Sequence, residues 1–118
     1  MKYMHLKISD ILLLEPDIFR DERGSFYEGF NQKEFDKILG KKISFVQDNY
    51  SNSKKNTLRG LHFQIPPKSQ GKLVQVLQGE IFDVVVDLRK KSPTFGSHVT
   101  QKLDSVTKKQ LWIPAGFA

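Results

Sequence analysis

The chain has 118 residues, no cysteine and a formal net charge of +6, so it suits a single domain and can form neither disulfides nor thiolate metal sites. Its amino terminus lacks the apolar core of a signal peptide and its apolar runs are too short to cross a bilayer, so we expect a cytoplasmic protein without membrane contact. Because the lysines are scattered and no stripe of stacking aromatics accompanies them, the charge favours an anionic small ligand over nucleic acid.

The first part of the chain predicts two strands. Residues 8–14 form an apolar run that ends at a proline-containing segment, which is typical of a strand followed by a turn. Residues 21–24 predict a further turn, in which Gly24 supplies a permissive backbone. Residues 25–30 then predict the second strand.

One helix is predicted over residues 32–39. Asn31 and Glu34 have the spacing of a helix-capping pair, and Gly40 is suited to end a helix. Apolar residues recur between them on one helical face: Phe35, Ile38 and Leu39. We expect this helix to pack as a flap on a sheet.

The rest of the chain predicts more short strands. Residues 42–48 and 58–64 are strand-like, and residues 73–77 and 81–88 predict a hairpin with Gly79 at its turn.

Residues 81–88 combine an apolar face with a mixed one. The apolar face comprises Phe82, Val84, Val86 and Leu88. The mixed face comprises Ile81, Asp83, Val85 and Asp87. Such a strand is suited to line a ligand-bearing barrel. A turn at 92–96 and further short strands follow, so the pattern as a whole predicts an all-β sandwich or jelly roll.

Two residues are candidates for catalysis. His62 shares the polar face of its predicted strand with Gln64, so it is a candidate base, although a hydrogen-bonded structural histidine is the alternative. Lys72 opens the strand that follows Pro66 and Pro67, and an isolated lysine there could equally be solvated. Arg59 alternates to the opposite face from His62, but a bulge would let it reach the same cavity.

Two further groups are candidates for ligand binding. The segment containing Gln47, Asp48 and Asn49 is a polar cluster that could also be a simple turn. Arg23 and Glu28 bracket a glycine and an aromatic residue. A planar guanidinium suits phosphate binding, and the alternative is a surface ion pair.

The combination and spacing of these motifs closely resemble the dTDP-4-dehydrorhamnose 3,5-epimerase family through almost the whole chain. In chain order the motifs are Asp21-x-Arg23-Gly24-x-Phe26-x-Glu28, Gln47-Asp48-Asn49-x-Ser51, Leu58-Arg59-Gly60-Leu61-His62-Phe63-Gln64-x-Pro66-Pro67, Gln70-Gly71-Lys72-Leu73-Val74, Gly79-Glu80-x-Phe82-Asp83-Val84-x-Val86-Asp87-Leu88-Arg89, Ser92-Pro93-Thr94-Phe95-Gly96 and Trp112-Ile113-Pro114-x-Gly116-Phe117-Ala118. The resemblance implies an all-β, cupin-type jelly roll with one short helix near residues 32–39. It also implies a homodimer that acts on a nucleotide sugar without metal or cofactor.

The resemblance also implies roles for individual residues. His62 matches the family's proton-abstracting base, and Lys72 matches the residue beside the C4 oxygen of the sugar. Arg23 matches a diphosphate-contacting position that comes from the neighbouring subunit. The other positions assigned to substrate binding are Phe26, Glu28, Gln47, Asp48, Asn49 and Arg59.

The chain departs from the family at its carboxyl terminus. The family's final motif continues into a histidine and later a tyrosine acid and an acidic partner of the base, none of which is present here. We therefore expect residues 1–118 to be a single cupin-like domain that lacks its C-terminal part, so that this piece alone could be inactive.

The implied chemistry suits these residue types. Hydrogens at C3 and C5 of a 4-keto sugar are acidic because the carbanion delocalises into the ketone. A neutral imidazole is a suitable base near neutral pH, and an ammonium group stabilises the developing oxyanion. No redox step occurs, so no nicotinamide is expected.

Of three alternatives to this function, the metal cupin is rejected and the other two remain. A metal cupin would need a His-x-His pair, whereas the chain has His62-Phe63-Gln64, and a neutral amide is a poor transition-metal ligand. A related 3-epimerase, 5-epimerase or ketoisomerase acting on another nucleotide sugar would use the same motifs. A non-catalytic sugar-binding cupin would not require both His62 and Lys72.

Overall fold

The computed structural model describes residues 1–118 and contains eight strands and one helix. The elements are β1 (Lys2–His5), β2 (Leu12–Glu15), β3 (Ile18–Asp21), β4 (Gly24–Tyr27), α1 (Gln32–Leu39), β5 (Lys72–Gln75), β6 (Glu80–Val86), β7 (His98–Asp104) and β8 (Gln110–Ile113). The helix is not long and apolar enough to cross a membrane.

The strands form one four-stranded sheet and two hairpins. The larger sheet is antiparallel throughout, in the order β1-β2-β8-β5. Strands β3 and β4 pair with each other, as do β6 and β7. Short antiparallel strands in layers with a single helix form the predicted all-β, cupin-type jelly roll.

The larger sheet buries both of its faces. One face packs against the β6–β7 hairpin through an apolar cluster made of Ile8, Ile11, Leu13, Val76, Val85, Val99, Leu103, Leu111, Ile113 and Phe117. The other face packs against α1 through Leu12, Leu14, Phe35 and Trp112. Since Leu12, Leu13 and Leu14 alternate between two buried faces, strand β2 has a continuous apolar sequence.

Helix α1 has the predicted bounds. The side chain of Asn31 accepts a hydrogen bond from the backbone N–H of Glu34 at 3.1 Å, and Gly40 ends the helix in the left-handed conformation with φ of 65°. The ring of Phe35 is buried against Trp112, with ring centroids 5.3 Å apart. The prediction of a capped helix that packs on the sheet is confirmed.

The predictions for the other amino-terminal elements need correction. The strand expected over residues 8–14 begins only at Leu12, because Ile8 and Ile11 form a turn whose ends are joined by a 3.0 Å backbone hydrogen bond. The strand expected over 25–30 spans Gly24–Tyr27. Strands β1 and β3 were not predicted, because their sequences are mostly exposed and carry no alternating apolar pattern.

The strands predicted at 42–48 and 58–64 are wrong. They belong to the connecting arm, residues 41–71, which contains no helix or strand. The arm makes only two backbone–backbone hydrogen bonds, from Thr57 to Lys54 and from Lys68 to Ile65. Extended sequence forms a strand only when a neighbouring strand accepts its hydrogen bonds, and this chain places none beside the arm.

The predicted hairpin between residues 73–77 and 81–88 is also wrong. Strand β5 pairs with β8, and β6 pairs with β7 in another sheet. Gly79, with φ of 80°, lies where the chain crosses between the sheets. A local turn signal does not distinguish a chain reversal within one sheet from a crossing between two sheets. The turn predicted at 92–96 does form, within the connection between β6 and β7.

The mixed face of β6 is the one that points inward. Val85 is buried in the core, and Asp83 is half-buried on the same face, whereas Phe82 on the apolar face is 70% exposed. Beyond β6, Asp87 is fully buried and bridges to Phe117. Its carboxylate is satisfied by Arg89, Ser92 and Thr94 at 2.6–3.0 Å, as a buried charge requires.

Candidate functional site

The predicted site residues lie on three parts of the fold. Arg23 and Phe26 are on the β3–β4 hairpin, and Glu28 follows it directly. Lys72 is the first residue of β5. The others lie on the connecting arm: Gln47, Asp48, Asn49, Arg59 and His62.

Lys72 extends towards the interior between the larger sheet and the β6–β7 hairpin. Strand alternation places it on the same face as Val74, which packs against the core, and its Nζ lies 3.5 Å from the carbonyl oxygen of Phe117. Burial lowers the pKa of Lys72, and the charge of Asp83 opposes this shift. The ammonium group is therefore partly desolvated, which increases its capacity to stabilise a nearby negative charge.

Asp83 faces Lys72 and was not among the predicted site residues. Burial raises the pKa of the Asp83 carboxyl group, and Lys72 acts in the opposite direction. The two groups form no ion pair within 4.0 Å. The sequence did contain a signal for this residue, because a carboxylate between apolar residues on an inward-facing strand requires a cation or a ligand nearby.

Gly71 determines how the arm enters β5. A Cβ atom at this position would lie 2.5 Å from Cη2 of Trp112, and the indole ring is buried against α1. Only glycine therefore lets the chain pass over the indole ring and place Lys72 at the start of the strand.

His62 lies on the arm and its side chain is exposed. An ideal Cβ atom at Gly60, where φ is 104°, would lie 3.4 Å from Nδ1 of His62, so the glycine leaves room for the imidazole ring. The ring forms no hydrogen bond within the chain. The structure therefore does not support the alternative of a hydrogen-bonded structural histidine.

The polar residues of the arm bond mainly to near neighbours. Gln47 donates from Nε2 to Oδ1 of Asn49 at 2.9 Å, and Arg59 donates from Nε to Oγ of Ser53 at 3.1 Å. Asp48 is exposed and its carboxylate forms no hydrogen bond within the chain. These groups remain accessible to a ligand.

Arg23 lies at the turn of the β3–β4 hairpin. Its guanidinium bonds to Oδ2 of Asp21 at 2.6 Å and 3.1 Å, and this contact lowers the pKa of the Asp21 carboxyl group. Both residues are exposed, so the two form a surface ion pair that contributes little to stability. The partner of Arg23 is Asp21 and not Glu28, the acidic residue grouped with it in the sequence. On the same hairpin, Phe26 pairs across the strands with Phe19, and both rings are exposed.

Glu28 is held by the start of the helix. Its Oε2 accepts a hydrogen bond from Nδ2 of Asn31 at 3.2 Å. The other carboxylate oxygen forms no hydrogen bond within the chain.

The structure assembles only part of the predicted site. It joins Gln47 to Asn49 by a hydrogen bond, but it forms no hydrogen bond between His62 and Lys72. The charged group that acts on Lys72 is Asp83, which was not predicted. A surface depression of about 430 Å³ lies elsewhere, between residues 7–10 and 89–94, and contains none of the predicted residues. No group of three or more histidine, aspartate or glutamate side chains is arranged to hold a metal ion.

Comparisons with known proteins identify one family. A family model described as dTDP-4-dehydrorhamnose 3,5-epimerase matches residues 5–118. A curated protein of that name from Salmonella typhimurium is 59% identical over 111 residues, which cover 94% of this chain and 61% of the relative. A second, from Shigella flexneri, is 55% identical, and the chain covers 65% of it. The chain thus spans less than two thirds of the length of these relatives.

Solved structures share the fold closely. The dTDP-6-deoxy-D-glucose-3,5-epimerase of Legionella pneumophila, in complex with dTDP-4-keto-L-rhamnose, aligns with a TM-score of 0.95 at 50% identity, over 99% of this chain and 62% of the other. A 3'-monoepimerase from Streptomyces bikiniensis, in complex with dTDP-quinovose, aligns with a TM-score of 0.90 at 34% identity, over 97% of this chain and 58% of the other.

Proposed function

The chain belongs to the dTDP-4-dehydrorhamnose 3,5-epimerase family, and on this basis we propose that the whole protein converts dTDP-4-dehydro-6-deoxy-D-glucose to dTDP-4-dehydro-L-rhamnose. The observation that carries the proposal is the close structural match to the Legionella pneumophila enzyme, whose crystal contains dTDP-4-keto-L-rhamnose. The motif resemblance read from the sequence is confirmed at the level of the family.

The proposed reaction moves protons without changing oxidation state. His62 takes a proton from C3 or C5, the electrons of the C–H bond delocalise into the C4 ketone, and Lys72 stabilises the resulting enolate oxygen. An acid on the opposite face then returns a proton with inverted stereochemistry, and that acid lies outside the described chain. Because electrons stay on the sugar, the reaction requires no redox cofactor.

The position of Lys72 supports its proposed role. An ammonium group that is half-buried on an interior wall, with Asp83 facing it, is fixed in place before any charge develops on the substrate. Preorganised donors of this kind stabilise the transition state by about 3–4 kcal/mol each.

We further propose a homodimer in which Arg23 reaches the neighbouring subunit's site. The exposed β3–β4 hairpin supports this arrangement. Its side chains make one hydrogen bond and one cation–π contact with the later part of the chain, both in the β7–β8 connection. Arg20 donates to the carbonyl oxygen of Val106 at 3.3 Å, and Lys108 approaches the ring of Tyr27. The unpaired backbone and exposed apolar residues of the arm likewise require a covering surface. A cytoplasmic location remains a prediction from the sequence.

Deuterium incorporation tests the proposed function. The whole protein is incubated with dTDP-4-dehydro-6-deoxy-D-glucose in D₂O, and the sugar is analysed by proton NMR and mass spectrometry. We expect deuterium at both C3 and C5. If the sugar binds but gains no deuterium, the protein is a non-catalytic binder and the proposal is contradicted.

A 3-epimerase is the second candidate function. It is favoured by the 34% identity to the 3'-monoepimerase of Streptomyces bikiniensis. Deuterium at C3 alone would identify this activity. Exchange at C5 alone would identify a 5-epimerase, and transfer of the keto group to another carbon would identify a ketoisomerase.

A further inference from the structure

We propose that Asn31 is a positioning residue for Glu28, so that the start of helix α1 orients a ligand-binding carboxylate. This inference rests on the proposed role of Glu28 in binding the nucleotide sugar. It assigns to Asn31 a task beyond capping the helix, which is the only task that its sequence pattern indicates.

The two bonds of Asn31 fix the orientation of its amide. Its Oδ1 faces the backbone N–H of Glu34 at 3.1 Å, and this partner can only donate. The amide nitrogen must then point the other way, where it donates to Oε2 of Glu28 at 3.2 Å. A flipped amide would place its NH₂ group against the N–H of Glu34 and its oxygen against the carboxylate of Glu28. Only the observed orientation therefore satisfies both neighbours.

The segment between Glu28 and Asn31 is also anchored to the larger sheet. The buried Gln110 of β8 donates from Nε2 to the carbonyl oxygen of Gly29 at 2.5 Å and to Oε1 of Gln75 at 3.1 Å. Its own Oε1 has no partner. The amide keeps this orientation because a flip would place its oxygen against the carbonyl oxygen of Gly29, which can only accept. The Gly29 carbonyl is therefore held to the sheet.

Phe30 supplies the third anchor. Its ring packs against Phe35 of the helix, with centroids 5.6 Å apart, and against Phe45 of the arm at 5.5 Å. Backbone and side-chain contacts therefore fix residues 29–31 to both the sheet and the helix. Glu28, although exposed, is adjacent to a rigid segment.

The arrangement leaves one oxygen of Glu28 for the ligand. Asn31 occupies Oε2, and a carboxylate can only accept hydrogen bonds, so Oε1 suits an N–H or O–H group. A dTDP-sugar offers both, in the imide of thymine and in the hydroxyl groups of its sugars. Restricting the carboxylate before binding reduces the entropy lost when the ligand is bound.

The test separates the two tasks of Asn31 by substitution in the whole protein. Asn31→Ser keeps a capping oxygen, and serine caps helices as well as asparagine, but it removes the donor to Glu28. We expect an unchanged melting temperature and a dissociation constant for dTDP that rises about threefold to tenfold, which corresponds to the net contribution of a typical intramolecular hydrogen bond. Asn31→Asp also keeps the cap, and we expect it to weaken binding further because it places a second carboxylate beside Glu28.

The control and the double variant make the test decisive. Lys33→Ser, an exposed change in the same helical turn, should leave the dissociation constant unaltered. When Asn31→Ser is added to Glu28→Ala, it should cause no further loss, because Asn31 acts through Glu28. An equal loss in both backgrounds, or no loss when only Asn31 is changed, would overturn the inference. If Glu28→Ala alone does not weaken dTDP binding, the inference about Asn31 is also wrong, even when the protein still exchanges deuterium into the sugar. Failure of the proposed function is distinguished from this result, because the unaltered protein would then exchange no deuterium.

Discussion

His62 is the residue on which the proposed proton transfer depends. It is exposed on the arm and has no bonding partner within the chain, so its nitrogens are free to contact a substrate. We expect His62→Ala to lower deuterium exchange at both C3 and C5 by about 10²–10⁴-fold, which is the usual contribution of a general base. Exchange is measured by NMR in D₂O.

His98 provides the matched control for this experiment. It is also exposed, but it lies on β7, opposite Val86 in the β6–β7 hairpin. His98→Ala should leave exchange at the unaltered rate. Substantial exchange by His62→Ala would remove His62 from the role of base.

Lys72 should affect turnover more than binding. Lys72→Met keeps most of the side-chain volume and removes the charge, so we expect kcat to fall about 10²–10³-fold, as for loss of one preorganised donor, with a smaller change in KM. Steady-state kinetics measures both constants. A variant with unchanged kcat and a raised KM would make Lys72 a binding residue.

The pH dependence of turnover should report the pair formed by Lys72 and Asp83. Burial lowers the pKa of Lys72 and the charge of Asp83 opposes this effect, so the ammonium form, and with it kcat, is lost as the pH rises through the lowered pKa. Asp83→Asn removes the opposing charge, and the pKa of Lys72 should fall further. The alkaline limb of the kcat profile should therefore move to lower pH, and a shift to higher pH would contradict the pairing.

At the scale of single residues, the sequence indicated which residue types belong to the site better than it indicated which of them contact one another. Lys72 could be proposed from the sequence because its motif is local. The pairing of Arg23 with Asp21 was not predicted, because the acidic residue grouped with Arg23 in the sequence was Glu28. Asp83 was missed as a site residue because its proximity to Lys72 depends on how two sheets face each other. The pattern of β6 indicates that the carboxylate needs a partner, but no single strand identifies Lys72 as that partner.

At the scale of elements, the junction between the arm and β5 should be sensitive to a single methyl group. Gly71→Ala would place Cβ 2.5 Å from Cη2 of the buried Trp112, and overpacking of this kind costs about 1–3 kcal/mol. We expect a lower midpoint of urea unfolding. Gly29→Ala, whose Cβ would lie 3.7 Å from Tyr27 in ordinary contact, is the control, and equal stability of the two variants would contradict the packing argument.

The helix could be predicted and several strands could not, for a physical reason. The cap at Asn31, the apolar spacing of α1 and the stop at Gly40 all act within ten residues of chain. A strand instead depends on partners that are distant in sequence, as when β2 pairs with β8. Residues 42–48 have a strand-like pattern but no partner, whereas the exposed β1 forms because β2 offers it an edge.

At the scale of the whole molecule, a complete core is combined with an incomplete site. The larger sheet packs on one side against β6–β7 and on the other against α1. The arm that carries His62 and Arg59 remains exposed, and so does the hairpin that carries Arg23. Under the proposed function, the arm and the hairpin therefore act together only when further protein surface, including a second copy of the chain, covers them.

Mixing two inactive variants of the whole protein tests this claim most directly. Arg23→Ala and His62→Ala are purified separately, shown to be inactive, then mixed under conditions that exchange subunits, and epimerase activity is followed. If Arg23 acts across the interface, a mixed dimer contains one intact site, and equal mixing of a symmetric dimer should restore about a quarter of the unaltered activity. If the mixture stays inactive although mass spectrometry detects mixed dimers, Arg23 and His62 do not form a shared site across the interface, and the account is contradicted.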